Sequence, residues 1–171
     1  MYLPSNFVGE TLTFNQPSRM KREFELVSSK GVLAIMVFPK FLSTRVVIEG
    51  FEGKWEIKRL SILGREHGVF KFGYHLPIAK YVSNFWRTKG TIELPKGARL
   101  NCKAGHLKNP FDVFSSKGKL LLSYSNKFSI KSRTSVTINE RSEIIDNYPW
   151  IIVLGWYVVL MNRRGKARAA G

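Results

Sequence analysis

Hydrophobic and polar positions alternate with period two over most of the chain, in short stretches such as residues 23–26, 54–58 and 99–103. Alternation of this kind predicts strands with one face on a core and the other in water. Turn residues separate these stretches at positions such as 28–31 and 115–118. Ten to twelve short strands at this spacing predict a mainly β domain, either an antiparallel barrel or a sandwich.

Residues 150–161 break the alternation, because they are apolar on every side. A helix of about twelve residues is roughly 20 Å long, which is short of the roughly 30 Å hydrocarbon core of a bilayer. We therefore predict a protein-buried helix at about 149–163. Its predicted boundaries rest on Asp146 and Asn147 as caps, Pro149 in the first turn, and a stop formed by Arg163, Arg164 and Gly165. The alternative is a membrane anchor that inserts residues 148–161.

A fully apolar helix at the end of a β domain has to be covered, and the simplest cover is a closed sheet. A barrel of about twelve strands has a lumen too wide for its own side chains to fill, and a helix supplies the missing volume. The sequence therefore predicts a closed antiparallel β-barrel of about twelve strands that encloses the C-terminal helix. The predicted organisation is a single domain over residues 1–164 and a basic tail over 165–171.

Two segments of the chain share a hairpin pattern. Residues 25–36 and 112–123 both read as an acid, two apolar residues, Ser-Ser-Lys-Gly, and then a strand that begins with any residue followed by Leu. A weaker echo relates residues 54–58 to 127–131. Together they suggest two related β halves.

The net charge is the firmest functional signal in the composition. Lys and Arg number 28 against 12 Asp and Glu, which gives +16, and an excess of this size attracts polyanions. The single cysteine, Cys102, excludes an internal disulfide and fits a reducing compartment. Since the N-terminus shows no signal-peptide pattern, we expect a cytoplasmic protein.

Basic residues at period-two spacing are the candidate anion-binding residues. That spacing places Lys54 and Lys58 on one strand face, and it predicts a second basic strand face from residue 127 to 133. The aromatic pair Phe85 and Trp86 adjoins a further cation, Arg87. The predicted basic set comprises Lys54, Lys58, Arg59, Lys127, Lys131, Arg133, Arg163 and Arg164.

Signals for catalysis and for metal binding are weak. The three histidines, His67, His75 and His106, are scattered, and Cys102 with His106 forms an isolated pair. The chain has no P-loop, nucleophile elbow or dinucleotide fingerprint. We therefore expect no enzymatic activity, no cofactor and no metal.

The hairpin at 112–122, its earlier copy at 25–36, the basic stretch at 127–131 and the terminal apolar run at 150–161 resemble the tubby C-terminal-like superfamily. The resemblance is strongest to the LURP-one-related and phospholipid-scramblase-like branches, and it covers roughly residues 11–164. It implies a closed twelve-stranded barrel threaded by a hydrophobic helix and a non-enzymatic role. Tubby-type barrels bind phosphoinositides through basic surface residues. No ligand motif of the superfamily matches this chain residue by residue, so the resemblance adds no site residue.

Three functions follow from these signals. The first is binding of a phosphate-rich partner, namely anionic phospholipid or phosphoinositide headgroups, by peripheral contact with a membrane. The second is RNA or DNA binding, as in a protein attached to a ribosome or another ribonucleoprotein, although the chain lacks the stacking motif of a sequence-specific RNA-recognition fold. The third is a membrane protein anchored by the C-terminal helix. The oligomeric state is left open.

Overall fold

The computed structural model describes residues 2–18, 20, 22–128 and 133–170. Its twelve strands form one closed antiparallel barrel in which each strand pairs with its neighbours in chain order, and β1 pairs with β12 to complete the ring. The predicted fold class is therefore confirmed. The strands are β1 Thr11–Asn15, β2 Glu23–Ser28, β3 Gly31–Val37, β4 Val46–Gly50, β5 Gly53–Arg59, β6 Glu66–Lys71, β7 Pro77–Ser83, β8 Lys89–Glu93, β9 Arg99–Ala104, β10 Phe111–Phe114, β11 Leu120–Lys127 and β12 Arg133–Ile138.

Two helices follow the last strand, α1 at Glu143–Asn147 and α2 at Trp150–Ala170. The first ten residues of α2, from Trp150 to Val159, are all buried. All of them except Gly155 belong to one hydrophobic cluster with the inward-facing residues of the strands, such as Leu12, Ile57 and Val136. The run lacks a polar side because the barrel surrounds it.

The segment that the anchoring alternative placed in a bilayer is thus buried inside the barrel, apart from its margins. In the part of the chain that the structure describes, no helix combines the length and the apolar character required to cross a membrane.

A close packing contact fixes the position of α2 along the barrel axis. The hydroxyl of Tyr124 donates a hydrogen bond to the carbonyl oxygen of Ile152, at 2.7 Å and fully buried. The Tyr124 ring occupies the space that a side chain at Gly155 would need, since a Cβ atom there would lie 2.2 Å from the tyrosine oxygen. On another side, the ring of Trp156 stacks on Phe14 with 5.2 Å between centroids. Glycine is therefore required at position 155, because α2 lies too close to Tyr124 of β11 to leave room for a side chain.

The start of α2 differs from the prediction. Asp146 lies in the short helix α1, which is capped by the side chain of Ser142. The Asp146 carboxylate accepts hydrogen bonds from the backbone N–H of Ser5, at 2.8 Å, and from the Ser5 hydroxyl. Asp146 therefore connects the N-terminal segment to α1. The prediction that Asp146 caps α2 is wrong.

The end of α2 also differs, since the helix continues through Gly165 to Ala170. The predicted helix end at about 163 and the stop at Gly165 are therefore wrong, and the described residues of the predicted basic tail, 165–170, are helical. Arg163 donates to the side chain of Asn126 and Arg164 donates to the carbonyl oxygen of Ser43. These bonds hold the helical turn against the barrel rim just where the sequence pattern placed a stop.

The repeated hairpin pattern corresponds to two similar hairpins, β2–β3 and β10–β11. Each has a register shift at the equivalent place, between Leu26 and Val27 in one and between Val113 and Phe114 in the other. They are eight strands apart in chain order, whereas two duplicated halves of a twelve-stranded barrel would place them six apart. The shared pattern thus corresponds to a repeated hairpin, and the suggestion of two related halves stays a prediction.

We predict that Gly155→Ala destabilises the protein. The new methyl group must displace the buried Tyr124 ring, and overpacking of this kind costs about 1–3 kcal/mol, of which the better helix propensity of alanine recovers about 1 kcal/mol. Urea unfolding is the measurement. Gly165→Ala in the same helix is the matched control, since its Cβ meets only one Arg87 nitrogen, at 3.2 Å. Equal stability of the two variants would contradict this account of the packing.

Candidate functional site

The connections between strands fall into two groups, one at each end of the barrel. Because every strand runs antiparallel to its neighbours in chain order, successive connections alternate between the ends. We call the end at which α2 leaves the barrel the exit end and the opposite end the far end. The exit face comprises residues 160–170 of α2 and six connections, at 16–22, 38–45, 60–65, 84–88, 105–110 and 128–132.

Positive charge is concentrated on the exit face. The sequence of this face contains thirteen Lys and Arg and no Asp or Glu, whereas the far end, outside the strands, contains five of each kind. The strands supply the remaining net charge of +3, so most of the +16 belongs to one end of the molecule. The described basic residues of the exit face are Arg22, Lys40, Arg45, Arg65, Arg87, Lys108, Arg163, Arg164, Lys166 and Arg168.

Five members of the predicted basic set lie at or near the exit end. Arg163 and Arg164 are on α2, and Arg59 is the last residue of β5. Lys127 ends β11 and Arg133 begins β12, and the two are directly opposite each other in the ladder. They do not share one strand, as the spacing predicted, because the chain turns between them. Lys131 lies outside the described residues.

The other two members, Lys54 and Lys58, lie on the outer wall of the barrel. The Lys54 ammonium is 3.5 Å from a carboxylate oxygen of Glu49 and 4.4 Å from the ring centroid of Phe72. The Lys58 ammonium lies 4.3 Å from the ring centroid of Phe70. Both are therefore engaged with side chains of neighbouring strands, and the structure does not bring Lys54 to the exit end.

Three arginines at the exit end form hydrogen bonds with the barrel rim, and two of them attach α2 to it. Arg163 donates to Asn126 Oδ1 at 2.9 Å, and Arg164 donates to the Ser43 carbonyl at 3.1 Å. Arg87 donates to the carbonyl oxygen of Leu63 at 2.7 Å, which joins two exit-end loops. Burial lowers the pKa of Arg163 and of Arg164, yet a guanidinium stays charged at neutral pH. The cations are thus held in fixed places.

Arg45 is the one cation of this face that is neutralised by a close carboxylate within the described residues. Its guanidinium makes two hydrogen bonds to Glu56, at 3.0 and 2.8 Å. The bond to Arg45 is the first cause that lowers the pKa of Glu56. Arg45 therefore has a structural partner and is not counted among the candidate site residues.

A small cavity of about 190 Å³ lies beside α2 at the exit end. Four arginines from three separate segments line it, namely Arg59, Arg87, Arg164 and Arg168. Among the described residues that line it, none is Asp or Glu. Four guanidinium groups around so little space create a strongly positive potential, which favours an anion inside.

His67 lies in the wall of the same cavity and is 4% exposed. Its Nδ1 atom is buried without a hydrogen-bond partner. Burial lowers the pKa of His67 to about 4, the charges of Arg87 and Arg59 lower it further, and a hydrogen bond with the Gly64 backbone opposes them. The ring is therefore neutral at pH 7 and retains one ring nitrogen with unused hydrogen-bonding capacity.

A larger cavity of about 700 Å³ adjoins the first, and Asn162 and Gly165 of α2 line both. Arg163 and Lys166 supply cations to it, while Trp86, Leu107 and Phe128 supply apolar surface. Arg87 lines both cavities. This larger space is amphipathic, with charge along the helix and apolar side chains along the loops.

Large apolar side chains project from every connection of the exit face. Nine described residues here are more than half exposed, and each of the six connections carries at least one of them. In the far-end connections the described residues above this exposure are two, Tyr74 and Leu76, both in a single loop. Exposed apolar patches mark surfaces that meet another protein or a membrane. The nine are Met20, Phe41, Leu42, Ile62, Leu63, Phe85, Trp86, Leu107 and Phe128.

The predicted basic set did not include several residues that define this site, among them Arg87, Lys108, Lys166 and Arg168. Period-two spacing finds cations on strand faces, but these lie in loops and on a helix. The sequence does contain a signal for them, namely the absence of Asp and Glu from every second connection between strands. In a barrel whose strands follow one another in order, every second connection lies at the same end of the barrel.

An X-ray structure of a protein from Arabidopsis thaliana is similar to this chain in fold. The TM-score is 0.59, the sequences are 16% identical, and the similarity covers 91% of this chain and 90% of that one. At this level of identity the likeness shows the fold alone. No protein-family model matches the sequence. No curated protein sequence matches it either.

We predict that lowering the pH from 7 to 4 destabilises the protein through His67. The unfolded histidine takes up a proton near pH 6.5, whereas the buried ring does so only near pH 4. Stability is therefore lost as the pH falls through this window, by about 3 kcal/mol from this residue. Thermal unfolding over a pH series should show a flatter dependence for His67→Gln. The exposed His75→Gln variant should keep the wild-type slope, and an unchanged slope in His67→Gln would refute the prediction.

Proposed function

We propose that the protein is a non-catalytic barrel that docks its exit face on membranes containing anionic phospholipids, whose headgroups its basic side chains hold. The observation that carries this proposal is the composition of one end of the molecule. That end combines thirteen cations, no acid, and an exposed apolar side chain on each loop. A cytoplasmic protein would meet such lipids at the inner leaflet of the plasma membrane.

The charge of the exit face supports attraction to a phosphate-rich surface. Each Lys or Arg close to an anionic membrane contributes about 1 kcal/mol of attraction. Arg can contact a phosphate with two parallel hydrogen bonds, while Lys acts as a point charge. The loops and helix of this face contain no carboxylate, and the acids nearest to it in sequence, Glu23 and Glu66, are the first residues of β2 and β6.

The exposed apolar side chains favour a membrane over a nucleic acid as the partner. Aromatic residues such as Trp86 and Phe128 suit either partner, since they stack on bases and also lie at membrane interfaces. Ile62, Leu63 and Leu107 are aliphatic and offer no stacking plane, but at a bilayer interface their apolar surface leaves water. The mixture of cations with aliphatic loop tips is that of a peripheral membrane-binding surface.

We also propose that the chain belongs to the tubby C-terminal-like superfamily, in its LURP-one-related or phospholipid-scramblase-like branch. The closed ring of twelve strands and the buried helix α2 that threads it support this relationship. The two hairpins with equivalent register shifts lie in the segments that carry the resemblance. Binding of phospholipid headgroups is consistent with that kinship.

We predict that removing two exit-face cations weakens membrane binding selectively. Lys108→Ala/Lys166→Ala should bind roughly 30-fold more weakly to phosphatidylcholine vesicles that contain phosphatidylserine, because two favourable charges are lost. Vesicle co-sedimentation near physiological salt is the measurement. The control is Lys117→Ala/Arg141→Ala at the far end, which changes the net charge equally and should bind within about threefold of wild type, since its charges lie on the opposite end.

Structured RNA added as a competitor separates the two kinds of partner. If the protein binds phospholipid, vesicles should retain it in the presence of RNA that contains the same total amount of phosphate as the lipid. If RNA is preferred at physiological salt, or if both double variants lose binding equally, docking of this face on a membrane is refuted.

We predict that Trp86 enters the bilayer interface on docking. Its side chain is 77% exposed, whereas Trp150 and Trp156 are buried. Binding to anionic vesicles should shift the tryptophan emission to shorter wavelength, and lipids brominated near the headgroup should quench it. Trp86→Phe should abolish both changes while vesicle binding persists. Unchanged emission in a sample shown to be bound would contradict insertion of this loop.

A further inference from the structure

The small arginine-lined cavity has a composition that the general charge of the exit face does not explain. Arg59 comes from the end of β5, Arg87 from the loop after β7, and Arg164 and Arg168 from α2. Solvated surface cations ordinarily separate, because like charges repel. Here the fold brings four of them around about 190 Å³.

Two of these arginines are held in place by bonds that leave donors unused. Arg87 donates through one terminal nitrogen to the Leu63 carbonyl, and Arg164 donates through one terminal nitrogen to the Ser43 carbonyl. A guanidinium carries five N–H donors, so each retains donors for a further acceptor. Two residues with polar side chains, Thr44 and Asn162, also line the cavity.

His67 provides an observation independent of the arginines. Its side chain lines the cavity and is 96% buried, and its Nδ1 atom has no hydrogen-bond partner. A buried polar atom without a partner is rare in folded proteins and calls for an explanation such as a bound ligand. A ligand with an acidic hydroxyl, or one that stabilises a protonated ring, would supply that partner.

We propose that this cavity is a binding site for a phosphate monoester group, held between Arg59, Arg87, Arg164 and Arg168 and contacted by His67. A monoester phosphate carries a charge between about −1.5 and −2 at pH 7 and three acceptor oxygens, which matches several guanidinium groups around one point. The cavity is smaller than the roughly 300–1,000 Å³ of sites that hold whole organic ligands, so it takes one small anionic group.

The phosphate could belong to a lipid headgroup or to a soluble compound. Leu42, Ile62 and Leu63, which are exposed apolar residues of the exit face, also line the cavity. A headgroup would thus reach the arginines when these residues meet a membrane. The lipid source rests on the proposed function, whereas binding of a soluble phosphate compound does not.

The variant that tests the site is Arg59→Gln/Arg168→Gln. Both side chains are exposed and neither is among the arginines that bond to the loops, so the fold should be retained. Arg99→Gln/Arg141→Gln at the far end is the control, since it removes the same two charges from exposed positions.

In solution, the probe is inorganic phosphate compared with chloride at equal ionic strength. Saturating phosphate should raise the Tm of the wild-type and control proteins by about 5 °C or more, and should leave the Tm of the site variant nearly unchanged. Proton NMR provides a second measurement, the titration of His67, which ions spread diffusely around the protein would not change. Phosphate should raise the pKa of His67 by about one unit or more, with the signal assigned by its loss in His67→Gln.

On membranes, the probes are phosphatidylcholine vesicles that contain either phosphatidic acid, a monoester, or phosphatidylglycerol, a diester, adjusted to the same surface charge. Wild-type protein should bind the phosphatidic acid vesicles at least about tenfold more tightly, since each phosphate that enters the site carries more charge. The site variant should lose this preference and bind both kinds of vesicle with equal affinity, more weakly than wild type because two exit-end cations are gone.

The two arms separate the possible outcomes. Phosphate binding in solution without a preference for phosphatidic acid supports the site and assigns it to a soluble phosphate compound. Phosphate binding by a protein that holds no vesicle supports the site and refutes the proposed membrane function. If phosphate changes neither the Tm nor the His67 titration, and phosphatidic acid has no advantage, the phosphate site is refuted whatever the membrane binding.

Discussion

Burial of an apolar helical segment with no polar side is the constraint on which this architecture depends. The first ten residues of α2 are removed from water, and only a structure that surrounds a helix on all sides can do that. Here twelve antiparallel strands surround the helix. The hydroxyl of Tyr124 donates a hydrogen bond to the helix backbone, and its ring packs against Gly155. The sheet therefore buries the apolar surface of the helix, and the helix buries the inward faces of the strands.

The same helix also builds the candidate site, since it has two parts of opposite character. Residues 150–159 are apolar and buried, and residues 163–168 include four cations at the exit end. Packing of the first part fixes where the second part emerges, and Arg163 and Arg164 then bond to the rim. The free energy gained inside the barrel offsets the repulsion among cations that would not gather on their own. Core and binding surface are thus joined through one continuous element.

Much of the fold could be predicted from the sequence because two physical signals are strong. Period-two alternation identified short strands, and the apolar run at 150–161 required a cover, so a barrel around a helix followed. The boundaries of α2 could not be predicted, because Gly165 looks like a stop until the bonds of Arg163 and Arg164 are known. The turn between Lys127 and Arg133 could not be predicted either, since spacing alone does not reveal where a strand ends. The arginine cavity could not be predicted either, since its arginines come from three segments that only the strand order brings together.

The position of α2 after all twelve strands has a consequence for biosynthesis. The segment that fills the barrel is made after all twelve strands, and the ring closes by pairing β1 with β12, more than a hundred residues apart in the chain. Until α2 leaves the ribosome, the inward faces of the earlier strands have nothing to pack against. Contacts of such long sequence separation form slowly, and the exposed strands of a nascent chain are prone to aggregate. The barrel therefore cannot complete its folding before α2 has been synthesised.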